Sequence, residues 1–237
     1  MRPRRRQPAT VGRTGEPRLR APSELVRLPR RSPLYPELAR ALAAADDLHL
    51  LHSDLDPVPV RATSTTSQTG CYRLRQSDPV DLRVSRRHGR VALSFLHELG
   101  HLVDHQLGRE LGPAWASGAH EAFGDWRRAA TGLSSRLPPD SGRSRRRYFG
   151  STKELWARSY AQTVLTRSVD PWLRGHLAGL IDVDDIFVWP EAEFAPVAIE
   201  VELVLERLGG FGGMSLSRDF AKPSLGLLRR SPRAVAA

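Results

Sequence analysis

The sequence predicts an α+β fold: a small mixed β-sheet, one central helix directly after it, and a mainly helical C-terminal half. Three observations predict it. Between about residues 57 and 84, β-branched and aromatic runs alternate with Ser, Thr and Gly breaks, the pattern of short strands. The segment LSFLHELGHLVDHQL (93–107) follows at once, with its apolar residues at helical period. Further helical patterns then fill the chain to about residue 208, separated by Gly- and Pro-rich breaks.

The 237 residues, 40% of them hydrophobic, suffice for one domain with a real core plus tails. The formal charge of +10 is concentrated at the ends. Ten arginines in residues 1–32 face only Glu16 and Glu24, and four arginines with Lys222 in 209–237 face only Asp219, so 33–208 is close to neutral. The organisation expected is a disordered Arg/Pro-rich arm over 1–32, a folded domain over 33–208 and a flexible basic tail over 209–237. Such ends could hold a weak anionic partner by charge alone. The N-terminus lacks the apolar run of a signal peptide, and no apolar run reaches the length of a membrane span. Cys71 has no second cysteine to pair with. These features predict a cytoplasmic, reduced protein without a membrane span.

PLYPELARALAAADDLHLL (33–51) opens with prolines and continues through Ala and Leu, predicting a helix. PVPVRATSTT and TGCYRLRQ predict two strands joined by a Ser/Thr/Gly turn, and VDLRV (80–84) alternates like a third. After the segment at 93–107 come a predicted helix at 118–131, a loop GLSSRLPPDSGRSRRRYFG, a helix at about 152–168 and a last helix at about 196–208.

The segment at 93–107 has two faces. At 100° per residue, Arg90, Ser94, His97, Glu98, His101, Asp104 and His105 fall within an arc of about 120°, while Phe95, Leu96, Leu99, Val103 and Leu107 fill the opposite side. His97 and His101 stand one turn apart, so both imidazoles can reach one ion from the same side. Glu98 beside them is placed to take a proton rather than to ligate. This is the H-E-x-x-H pattern of zinc peptidases. HEAFG at 120–124 begins the same motif and lacks the second histidine. Gly100, between the two histidines, leaves room for another element to pack closely.

A catalytic zinc needs a third protein ligand. Leu107 stands where a third histidine would be needed, and His105 is too far along the helix. A glutamate from another helix remains, and two compete. Glu121 follows His101 by twenty residues, with Asp125 one turn on, as in the glutamate helix of thermolysin-type peptidases. Glu154 shares a face with Ala157, Ala161 and Leu165, small enough for close approach, although Ser151 and Glu154 also have capping-box spacing.

LHELGHLVDHQLG, followed about fifty residues later by YFGSTKELWARSYAQ, resembles the gluzincin-type zincin domains of phage-encoded and toxin-associated polyproteins. More distantly it resembles the anthrax lethal factor peptidase domain. The likeness covers about residues 70–208. It implies a zincin-like fold, with Glu154 as third zinc ligand and Tyr148 as the transition-state donor, Tyr160 being the rival. It also implies an edge strand that pairs with an extended peptide, for which Val80–Val84 is the candidate.

The reading that follows is a zinc-dependent endopeptidase acting on a peptide or protein substrate. His97, His101 and Glu154 hold Zn2+, Glu98 is the general base and Tyr148 supports the oxyanion. Asp104 is a candidate acceptor for an imidazole N–H, and RSRRRY (143–148) a candidate selector of acidic substrate segments. The alternatives are a catalytically silent zincin-like binding or structural module, and a basic-tailed nucleic-acid-associated protein. The intact Glu98 speaks against the first, and the lack of any aromatic-plus-basic or zinc-finger pattern in the core against the second.

Overall fold

The computed structural model describes residues 11–112, 114–133, 137–138 and 140–209. In order, the elements are β1 (Arg13–Arg20), α1 (Pro22–Leu25), β2 (Val26–Arg27), α2 (Tyr35–Leu48), β3 (Leu51–Leu55), β4 (Val58–Thr63), β5 (Gly70–Arg75), β6 (Asp78–Ser85) and α3 (Val91–Leu111). Then come α4 (Ala116–Ala119), a 3-10 turn at Glu121–Phe123, α5 (Gly124–Thr131), α6 (Arg143–Phe149), α7 (Thr152–Arg167), α8 (Pro171–Asp182) and α9 (Glu191–Leu208). The fold is mixed α+β, with its strands gathered before α3 and helices after it.

The arm expected at 1–32 is corrected over the part described. β1 pairs antiparallel with β3, and β2 pairs parallel with β4. Leu25 and Val26 are buried in the core, Arg20 donates to the Leu55 and Glu24 carbonyls, and Ser23 N–H donates to Asp46 on α2. The sequence hid this because one helical turn and a two-residue strand are too short to show a period, and arginines crowd the residues around them. Residues 1–10 and 210–237, where the arm begins and the basic tail was expected, lie outside the described residues.

α2 starts with Pro36 in its first turn, where the missing N–H costs nothing. Leu38, Ala41, Leu42, Ala45 and Leu48 recur at helical spacing and are buried. Each leucine there contributes roughly 1.5–3 kcal/mol by leaving water. The predicted helix was carried three residues too far: His49 is already extended, and Leu51 opens β3.

The larger sheet runs β2-β4-β6-β5, parallel through β4 and β6, with β5 antiparallel on β6. Val80–Val84 is therefore not an edge strand: it lies in β6, between β4 and β5. Its two faces explain the placement. Val80, Leu82 and Val84 are buried on one side, while Asp81 is buried on the other and pairs with Arg61, Arg73 and Arg83. The edges are β5 and the two-residue β2.

α3 is buried from Val91 to Gly108 except at His97, so its polar arc faces protein as well as the cleft. Its partner is α7. A Cβ on Gly100 would stand 3.0 Å from the Ala157 Cα, and the Trp156 indole N–H donates to the Gly100 carbonyl at 3.2 Å. The small residues read from the sequence on both helices thus meet at the crossing. The helix predicted at 118–131 is broken at His120, whose Nδ1 accepts from the Ala122 N–H. The loop expected over 132–150 contains α6, and α9 begins at Glu191 rather than near 196. α8 was not foreseen, although Asp170 caps it by accepting from the Trp172 and Leu173 N–H groups. No helix among the described residues is long and apolar enough to cross a membrane.

Candidate metal centre

The close crossing of α3 and α7 brings His97, His101 and Glu154 together. His97 Nε2 lies 3.2 Å from Glu154 Oε2 and His101 Nε2 lies 3.3 Å from Oε1, so each carboxylate oxygen faces one imidazole. The two rings stand edge to face, 4.8 Å between centroids. One donor atom from each residue falls within 4.8 Å of the others, and among the described residues this is the one such group of three. In a tetrahedral site with bonds of ~2.0–2.2 Å, neighbouring ligand atoms stand ~3.3–3.6 Å apart, close to the separations at Glu154. Two imidazole nitrogens and one carboxylate form a donor set suited to zinc, whereas calcium and magnesium favour oxygen throughout. The residues present fit such an ion.

Ser151 does not cap α7 with its side chain; its hydroxyl donates instead to the Tyr148 carbonyl at 2.8 Å. The capping-box reading of Glu154 therefore fails, and its carboxylate is turned to the histidines. Burial pushes the Glu154 carboxyl up, but the imidazoles of His101 and His97 more than offset this and hold it far below the usual range. Burial pulls His101 down, while Glu154, Glu98 and Asp104 together carry it above its ordinary value. Glu121 lies elsewhere, exposed on the 3-10 turn.

Glu98 is buried beside the pair. Burial raises its carboxyl above the ordinary value against the pull of both histidines, which makes it a carboxylate able to hold a proton. Gly70, the first residue of β5, makes room for it: a Cβ there would stand 2.5 Å from Glu98 Oε1. The sequence reading placed this glycine in a turn. Its functional signal is an isolated glycine where a strand passes close to another group.

Asp104 does not hydrogen-bond an imidazole. Its oxygens accept from the Ser117 N–H at 2.7 Å and the Ser117 hydroxyl at 2.6 Å, tying α4 to α3. Burial pushes Asp104 up to about 6 despite those bonds. His101 Nδ1 is left buried without a hydrogen-bond partner among the described residues. Trp115, just before α4, packs edge-on against His101 at 5.9 Å and so covers the ring's outer side. His105 is occupied elsewhere, with Nδ1 2.8 Å from the Tyr72 hydroxyl.

The two tyrosines separate cleanly. Tyr148 is half exposed on α6 and lines the cleft, where burial and the Glu154 charge raise its hydroxyl so that it stays protonated. Tyr160 is fully buried with its hydroxyl 2.8 Å from His49 Nε2, in the core. The cleft measures about 450 Å³ and reaches from the 66–70 segment, ending in Gly70, past His97, Glu98 and Glu154 to Tyr148, Arg158 and Phe187. Arg158 is a lining residue that the sequence reading passed over, because one arginine inside a helical pattern gives no sign that it is buried. Comparison with family models, curated proteins and solved structures returns no match for this chain.

Proposed function

We propose that the protein is a zinc-dependent endopeptidase with a zincin-like fold. The observation that carries this reading is that His97, His101 and Glu154 converge beside a buried Glu98, at the wall of an open cleft. His97, His101 and Glu154 would hold the ion. Bound zinc would supply a Lewis acid and acidify a water molecule toward neutrality. Glu98 takes a proton at its carboxylate as the scissile carbonyl is attacked and passes it to the departing nitrogen. Tyr148, held protonated at the cleft, donates a hydrogen bond to the carbonyl oxygen as charge develops there. Gly70 keeps β5 close over Glu98, and the free edge of β5 can pair with an extended peptide.

A diverse peptide library, read by mass spectrometry, tests the reading. Wild-type protein loaded with zinc should cleave it, and Glu98→Gln should lose at least ~100-fold in rate, the scale of a removed general base, while keeping its metal. Equal cleavage by Glu98→Gln, or no cleavage by either protein, would contradict the proposal.

A further inference from the structure

Glu154 and Arg158 stand one turn apart on α7, ~6 Å along the axis, and both line the cleft. Arg158 is buried, at 6% exposure, yet it forms no ion pair among the described residues. One of its N–H groups donates to the Phe149 carbonyl at 2.9 Å, and Nε is buried without a partner. Its guanidinium lies over the Trp189 ring at 4.6 Å and the Phe149 ring at 5.2 Å, faces that hold a cation without neutralising it. Burial lowers its pKa to about 10, which still leaves it charged. A guanidinium has five N–H donors in a fork that matches a carboxylate, and burying its charge with the Nε–H unanswered and no anion beside it is costly.

The surrounding charges point the same way. Arg145 and Arg90 line the same cleft; Arg90 is paired with Asp185, while Arg145 lies over Phe149 and forms no ion pair among the described residues. Opposite them, Glu98 and Glu154 would be balanced by a divalent ion, leaving this end of the cleft positive. Resting on the peptidase reading, we propose that the cleft selects an acidic substrate residue next to the scissile bond, its carboxylate received by the fork of Arg158 with support from Arg145.

Arg158 also steadies the end of α6 through the Phe149 carbonyl, so the test must read charge selectivity rather than activity. Two pools of acetylated, amidated hexapeptides are compared, identical except that Glu and Asp in one are Gln and Asn in the other. Affinities are measured by calorimetry on zinc-loaded Glu98→Gln protein, where turnover is suppressed. The acidic pool should bind at least ~10-fold tighter, as a charge-assisted bidentate contact allows. Arg158→Met should bring the ratio below ~2, and Arg158→Lys, which keeps the charge but loses the fork, should give an intermediate ratio. If Arg158→Met does not fold, the parent ratio and the exposed Arg145→Gln, expected to lower it ~2-fold, still decide. A parent ratio near one, failure to bind either pool, or a ratio unchanged in folded Arg158→Met would overturn the inference. Cleavage by the wild type without acidic preference would overturn it and leave the peptidase reading standing; acidic preference in binding without any cleavage would overturn the peptidase reading, and with it the scissile-bond placement, and leave only Arg158 as a carboxylate-binding group.

Discussion

Two carboxylates, Asp81 on the sheet and Glu154 on α7, are both buried and keep opposite company. Asp81 is ringed by Arg61, Arg73 and Arg83, permanent cations that can only neutralise it. Glu154 is faced by His97 and His101, which hold a proton, donate a hydrogen bond or turn a lone pair to a metal. In both cases burial pushes the carboxyl up and the partners bring it below its ordinary value. The titration shift therefore does not distinguish an ion-pair cluster from a group able to hold a metal. The partner's chemistry does, and so does access: Glu154 lines a cleft, while Asp81 is closed beneath its arginines.

The largest effect that sharpens this contrast is on stability. Asp81→Asn removes the charge that three guanidiniums share and should cost about 2–4 kcal/mol, somewhat less than a fully buried pair because the arginines reach water. Denaturant unfolding would measure it, and metal content in the folded fraction should not change. A loss below ~0.5 kcal/mol, the range of ordinary surface pairs, would make Asp81 no different from them.

Gly70→Ala comes next and acts on the other cluster without touching a charge. The added methyl must displace Glu98, so peptide hydrolysis should fall about 100-fold with zinc retained and the fold intact. Normal activity in this variant would show that Glu98 does not need its observed position.

The smallest effect concerns a buried imidazole with no carboxylate partner. Burial lowers His49 in the core to about 4 from an ordinary 6.5. Between these values the unfolded chain binds the proton and the folded chain does not, so stability is full above pH 6.5, falls as pH drops and levels off near 4. By about pH 5 the loss should be roughly 2 kcal/mol, and it should be absent from His49→Gln. His101, which carboxylates carry upward, would contribute with the opposite sign. Identical acid profiles for wild type and His49→Gln would remove His49 from this comparison.

What the sequence disclosed, and what it hid, follows from the range of each signal. The gathering of His97, Glu98 and His101 on one face of α3 was legible because their spacing and the helical period lie within one element. Glu154 was legible in outline because its neighbours Ala157 and Ala161 are small, and small residues announce close packing even across a long gap. Gly70 was hidden because its meaning depends on Glu98, twenty-eight residues away in another element. Val80–Val84 was misplaced at an edge because the zincin likeness implies an edge strand there, whereas alternation in VDLRV shows a strand but not its place in the sheet. Asp81 and Arg83 are in fact a half-covered ion-pair layer on a central strand. The segment 11–32 was hidden for the reason that makes it weakly patterned: few of its residues are apolar, and Leu25 and Val26 carry the packing.

Zinc content after dialysis, measured by atomic emission on the wild type, Glu154→Gln, Glu98→Gln and Asp81→Asn, tests the contrast between the two carboxylates most directly. A three-ligand site should hold about one zinc per chain in the wild type, Glu98→Gln and Asp81→Asn, and below ~0.1 in Glu154→Gln, whose amide is a poor ligand of nearly the same size. Stoichiometric zinc in Glu154→Gln, or none in the wild type, would contradict the assignment of His97, His101 and Glu154 as a metal centre.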